Sequence, residues 1–82
     1  STARQDYDAR KDDQKKLRKA RKALEDCEKR IASMEERIAE LDSLLMLPEN
    51  ASDMTLVTEY TSIKKKLDEE NERWFEMAEG ME

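Results

Sequence analysis

The chain has 82 residues, 45% of them charged and 37% apolar, and carries a formal net charge of −5. One Gly, one Pro, one Cys and no His exclude a glycine-rich phosphate loop, a Cys/His zinc site and an imidazole-assisted nucleophile. This mixture suits long solvated helices around one narrow core, and it argues against sheets.

Residues 1–16 read as a charged lead-in or linker, partly helical, with Asp6, Asp8, Arg10, Lys11, Asp12, Asp13, Lys15 and Lys16 and no apolar side chain larger than Tyr7. Its start, Ser1-Thr2-Ala3-Arg4, lacks the apolar stretch of a signal peptide and suggests an excised fragment. Arg10 and Asp13 would occupy the seam here, so a frayed or projecting lead-in is expected.

From Leu17 the pattern changes. Leu17, Ala20, Leu24, Cys27, Ile31, Met34, Ile38, Leu41 and Leu45 recur alternately three and four residues apart, the a/d stripe of a coiled coil. Pro48 removes an amide and denies helical geometry to its neighbour, which ends a first helix of about residues 8–46. A turn over about 47–52 follows, and a second helix over about 53–79. Ser52 is the preferred N-cap among Asn50, Ser52 and Asp53, and Gly80 suits a left-handed C-terminal position. The sequon Asn50-Ala51-Ser52 lies within this turn and reads as turn sequence.

The second seam is Leu56, Tyr60, Ile63, Leu67, Trp74, Met77 and Met81, with Glu70 in one apolar slot. Folding the chain back at the proline sets Leu45 opposite Leu56, Leu41 opposite Tyr60, Ile38 opposite Ile63 and Met34 opposite Leu67. Cys27 then meets Trp74, and Leu24 meets Met77. The fold class is therefore all-α, an antiparallel two-helix coiled-coil hairpin over residues 17–82. A monomeric hairpin is favoured, with pairing between chains as the alternative and a weak dimer allowed. Cys27 belongs to the core on this pattern, and Leu44, Leu47, Met54 and Val57 are expected to close a small apolar cap at the tip. Phe75 lies off the seam and is a candidate contact.

Charge is distributed unevenly. Eight basic residues lie between Arg10 and Lys22 against Asp12 and Asp13, and seven acids between Asp68 and Glu82 against Arg73. One reading is internal, with opposite charge fixing the antiparallel register. The other is phosphate binding by a basic helix. Reversing the second helix also sets Arg30 opposite Arg73 and Arg37 opposite Lys66, like-charge pairs that leave a basic ridge, while Glu35 meets Lys64 on the other edge. Lys64-Lys65-Lys66 forms a second, local patch. No nucleophile, catalytic carboxylate pair or metal-ligand set is present, so a non-enzymatic role is expected. The lone cysteine points to a reducing, cytoplasmic setting, and no segment is long and apolar enough for a membrane.

The basic stretch Tyr7 to Lys22, the heptad helix through Ile38-Ala39-Glu40-Leu41, the turn Leu47-Pro48-Glu49-Asn50-Ala51-Ser52-Asp53 and the closing helix Glu59-Tyr60 to Trp74 carry a resemblance. The chain resembles the C-terminal coiled-coil domain of ABC-F ATPases of the Uup type. That resemblance implies a parent with two upstream ATP-binding cassettes of the same chain and no transmembrane domain. ATP and Mg would bind only in those cassettes, and no cofactor in this stretch. It further implies contact with nucleic acid, either DNA or ribosomal RNA. The residues expected to make it are Arg10, Lys11, Lys15, Lys16, Arg18, Lys19 and Lys22, extended by Arg30 and Arg37. The alternative function is a structural spacer or oligomerisation coiled coil with no nucleic-acid role.

Overall fold

A computed structural model describes all residues, Ser1–Glu82. It contains two α-helices, α1 (Thr2–Leu45) and α2 (Met54–Glu79), separated by a single 3₁₀ turn at Pro48–Asn50. The cross-helix contacts give the direction of pairing. Passing back along α1, Arg37 meets Glu59 and then Arg30 meets Glu70, so α2 advances as α1 recedes. The fold is the all-α hairpin that the heptad spacing predicts.

Burial follows the seams. Cys27 and Leu41 are fully enclosed and Ile38 nearly so, while Leu24, Ile31, Met34, Leu45, Leu56, Tyr60, Ile63, Leu67, Trp74 and Met77 are half-buried. Two helices in contact can cover only one stripe each, so few side chains lose all solvent. The core lies in the turn-proximal half of the rod, where α1 and α2 are paired.

α1 is much longer than α2, with 44 residues against 26. At 1.5 Å per residue the two helices span about 66 and about 39 Å, and the molecule is 73 Å long by 18 and 15 Å across. Every residue from Ser1 to Ala23 is exposed, and Leu17, the first residue of the three–four repeat, remains 41% exposed. The lead-in is thus a projecting continuation of α1, helical from Thr2, whereas the sequence pattern puts the start near residue 8. Ser1 caps it, its hydroxyl accepting from the Arg4 amide at 3.4 Å.

The turn and the end of α2 correct three local expectations. Asp53, not Ser52, caps α2: its carboxylate accepts from the amides of Thr55 at 3.0 Å and Leu56 at 3.3 Å. Asn50 serves the other helix, donating from its side-chain amide to the Leu44 carbonyl at 3.1 Å. The 3₁₀ turn begun by Pro48 decides this division, because Asn50 is carried back over the end of α1 while Asp53 meets the start of α2. Gly80 keeps right-handed helical geometry (φ −65°, ψ −13°) and its amide bonds to the Glu76 carbonyl at 3.1 Å. The last residues continue as tightened turns, so no left-handed cap is needed. Finally, the tip is open. Leu44 and Val57 are half-buried, but Leu47 is 43% exposed and Met54 67% exposed, because one 3₁₀ turn is too short to lay these side chains over the seam.

Candidate nucleic-acid interface

The basic residues expected to meet phosphates fall into two groups with different surroundings. Arg10, Lys11, Lys15, Lys16, Arg18, Lys19 and Lys22 all lie on the exposed, projecting part of α1. Tyr7, Arg10, Lys11, Gln14 and Arg18 border one shallow depression of its surface. Only Lys16 and Lys22 have acidic partners, Asp12 at 3.5 Å and Asp26 at 3.1 Å, each one turn away on the same helix. Such exposed pairs are weak and exchange readily with solvent or ligand.

Arg30 and Arg37 sit inside the hairpin's own ion-pair network. Arg37 binds Glu59 in a forked arrangement, its Nε donating at 2.7 Å and its Nη2 at 2.9 Å, and its Nη1 reaches Glu40 at 2.9 Å. These hydrogen bonds, to Glu59 first and then to Glu40, hold the guanidinium firmly protonated. The same fork lowers the Glu59 carboxyl below its usual range. Planar two-point pairing of this kind is the strongest geometry for a guanidinium and a carboxylate. Arg37 therefore does not confront Lys66 as a like charge.

Arg30 likewise does not repel Arg73. Both donate to Glu70, which stands between them in the seam: Arg30 Nε to Oε1 at 2.7 Å, Arg73 Nε to Oε2 at 3.2 Å, with Arg73 Nη2 donating to Oε2 as well. The Glu70 side chain is 4% exposed while the two arginines are about half exposed, so the carboxylate is buried and the cations keep solvent on their outer edges. Hydrogen bonds from Arg73 and then Arg30 pull its pKa from 4.5 to about 2, outweighing the opposing effect of burial. The expected basic ridge is thus replaced by an ion-paired cluster in which two guanidinium groups share one carboxylate. On the other edge, Lys64 lies over the Tyr60 ring, 5.6 Å from its centroid, a cation–π contact.

Cys27 packs beside this cluster. Its thiol donates to the Glu70 backbone carbonyl at 3.5 Å, and burial, with the neighbouring carboxylate, pushes its pKa up. A buried, protonated thiol is inert, in keeping with a packing role.

The model of the ABC transporter C-terminal domain family matches residues 15–79. The chain belongs to this family. No curated protein matches it, and no solved structure does. The match begins within the basic lead-in and ends where α2 ends, so this ABC transporter C-terminal domain comprises the whole hairpin. A C-terminal accessory domain of ABC proteins lacks the ATPase cassette, and the chain itself is non-catalytic. No helix is long and apolar enough to cross a membrane.

The ion-pair roles of Glu59 and Glu70 are absent from the expectations drawn from the sequence. Glu59 carries no signal in a heptad pattern, since it lies beside the seam. Glu70 does carry one: a carboxylate in an apolar slot, with Arg30 on one side and Arg73 three residues on, is a sequence-visible invitation to pair.

The domain's acid response follows from the lowered pKa. A carboxyl group whose folded pKa lies below its unfolded value contributes stability that is present above the unfolded value and is lost as pH falls to the folded one. For Glu70 that interval runs from 4.5 down to about 2, and Glu59 acts in the same direction. Thermal melts followed by circular dichroism at pH 7, 4, 3 and 2 are expected to show a flat midpoint to about pH 5 and a fall below it. In Glu70→Gln the fall should be shallower. An identical fall in that variant would mean that Glu70 is not the titrating group.

Proposed function

We propose that this ABC transporter C-terminal domain serves an ABC-F ATPase of the Uup type as a non-catalytic coiled coil that makes weak contact with nucleic acid, DNA or ribosomal RNA. The observation that carries the reading is the projecting basic helix: eight cations from Arg10 to Lys22 on a segment with no partner helix, next to a hairpin whose own Arg30, Arg37 and Arg73 are engaged by carboxylates. No carboxylate of the second helix pairs with these cations, and only Lys16 and Lys22 meet acids on their own helix, so most of this charge is free to neutralise phosphates.

The binding is expected to be tolerant of sequence. The lead-in offers mainly guanidinium and ammonium groups that suit phosphates, with Gln5 and Gln14 its only side-chain amides and Tyr7 its one aromatic ring. Arg30 and Arg37 would extend the contact only through their exposed outer edges, since both are engaged by carboxylates. In the same reading, ATP and Mg belong to cassettes elsewhere in the parent, in a cytoplasmic protein.

Fluorescence anisotropy with a labelled duplex and a structured RNA tests the proposal. Non-specific affinity in the range of about 10⁻⁴–10⁻⁶ M is expected, falling steeply with salt. Changing Lys15, Lys16, Arg18 and Lys19 together to Gln should weaken binding at least tenfold. It should also reduce the slope of log K against log salt by about 0.9 for each phosphate that is no longer neutralised. Helicity should change little. Changing Lys64, Lys65 and Lys66 to Gln should do less. Loss of binding in the second variant and not the first would place the contact near the turn and overturn the assignment.

A further inference from the structure

Two exposed faces of this molecule match one another and cannot meet within one chain. On the projecting part of α1, Arg4, Tyr7, Lys11, Lys15, Arg18 and Lys22 recur every three or four residues and therefore share a single face. Asp6 and Asp13 fall toward the seam side, while Asp8 and Asp12 border the face beside Lys11, Lys15 and Arg18, so the face is predominantly basic, with one aromatic ring, Tyr7, 57% exposed. On α2, Asp68, Glu72, Phe75, Glu76 and Glu79 share the face turned away from the seam. Phe75 is 59% exposed at its centre, and none of the four carboxylates has a cation within 4.0 Å.

The hairpin keeps these faces apart. The acidic stretch lies along the part of α1 around Cys27 and Arg30, as the hydrogen bonds to Glu70 show, whereas Arg4 to Arg18 extend beyond the end of α2. The expectation that these opposite charges pair internally and set the register is therefore not met: the register-setting contacts run through Glu70 and Glu59 instead.

We propose that the acidic face of α2 around Phe75 is the docking surface for the basic lead-in of a second copy of this chain. The contact joins two different surfaces on opposite sides of the hairpin, both turned away from the seam, so copies associate head to tail, each lead-in on the acidic face of the next. Tyr7 and Phe75 supply the apolar contacts within a rim of opposite charges, and the acidic rim selects against docking of the equally acidic remainder of the hairpin. This association goes beyond the nucleic-acid reading and stands without it.

Sedimentation velocity on the full chain, without nucleic acid, is the test. At low salt, association is expected in the range of about 0.1–1 mM, with the association constant falling at least tenfold between roughly 50 and 300 mM salt as the charges are screened. Phe75→Ser should weaken it several-fold with helicity unchanged. Two charge-reversed variants extend the test: Lys11→Glu, Lys15→Glu, Arg18→Glu in one, and Asp68→Lys, Glu72→Lys, Glu79→Lys in the other. Neither should self-associate, and an equimolar mixture should, because each then presents what the other lacks. Should the second variant lose helicity, its neutral counterpart with Asn and Gln at the same positions replaces it and should be monomeric. A wild-type chain that stays monomeric throughout this range overturns the proposal. So does self-association that persists in either reversed variant, which would move the interface elsewhere, to the exposed Met46, Leu47 and Met54 at the tip.

Discussion

Replacing Glu70 with alanine is expected to lower the melting temperature of the hairpin by about 10 °C. The reason is the arrangement around the carboxylate. Arg30 comes from α1 and Arg73 from α2, and both donate to the one buried side chain. Without it, two guanidinium groups face each other across the seam with no anion between them, and the Cys27 side of the core opens onto the gap. Because both arginines are about half exposed, they can swing toward water, so the loss stays below that of a fully enclosed charge. Glu70→Leu provides the contrast. An apolar side chain fills the slot and lets the arginines go to solvent, and this variant should melt close to the wild type or above it. If Glu70→Ala melted like the wild type, the cluster would contribute nothing and the three residues would be solvated charges that happen to be near one another.

Leu41→Ala should have an effect at least as large. Leu41 is fully enclosed, and removing a buried leucine side chain costs about 2–5 kcal/mol through reduced burial and the cavity left behind. A rod with so few enclosed side chains has a total stability of only a few kcal/mol. The variant should therefore lose its cooperative thermal transition at neutral pH and retain only residual helicity. Met46→Ala is the matched control: it deletes a comparable side chain that is 84% exposed, and its effect should stay within about 0.5 kcal/mol. A cooperative melt for Leu41→Ala near the wild-type midpoint would contradict the burial that defines the core.

The architecture is legible in the sequence because it depends on spacing. Cys27, Ile38 and Leu41 lie on the three–four repeat and are the enclosed apolar residues. The ion pairs are not legible by the same means. Setting residues opposite one another position by position makes Arg30 and Arg73 neighbours of like sign. A guanidinium, however, reaches across more than one turn, and Arg37 finds Glu59 where strict opposition assigns it Lys66. Side-chain length therefore decides what heptad bookkeeping treats as fixed. The turn is harder for a different reason. Asn50, Ser52 and Asp53 all have suitable acceptors, and only the path of the 3₁₀ turn determines which helix end each one meets. As for the candidate interface, the sequence shows where the positive charge lies. The projecting geometry adds that this charge has no partner helix, while Arg30 and Arg37 do have partners.

The unequal lengths of α1 and α2 have a consequence for how the molecule comes apart. Backbone amides between Ala23 and Leu45 are shielded by a second helix, and their exchange with solvent requires the hairpin to open. Amides before Ala23 are held only by the helix–coil balance of a lone, highly charged segment. Hydrogen exchange should accordingly form a gradient along one continuous helix, fast toward Ser1 and slow near Leu41. Far-UV dichroism sums both regions, whereas Trp74 emission reports only the paired one. The two signals need not share a midpoint, and the unfolding of this rod is two equilibria joined end to end by an unbroken backbone.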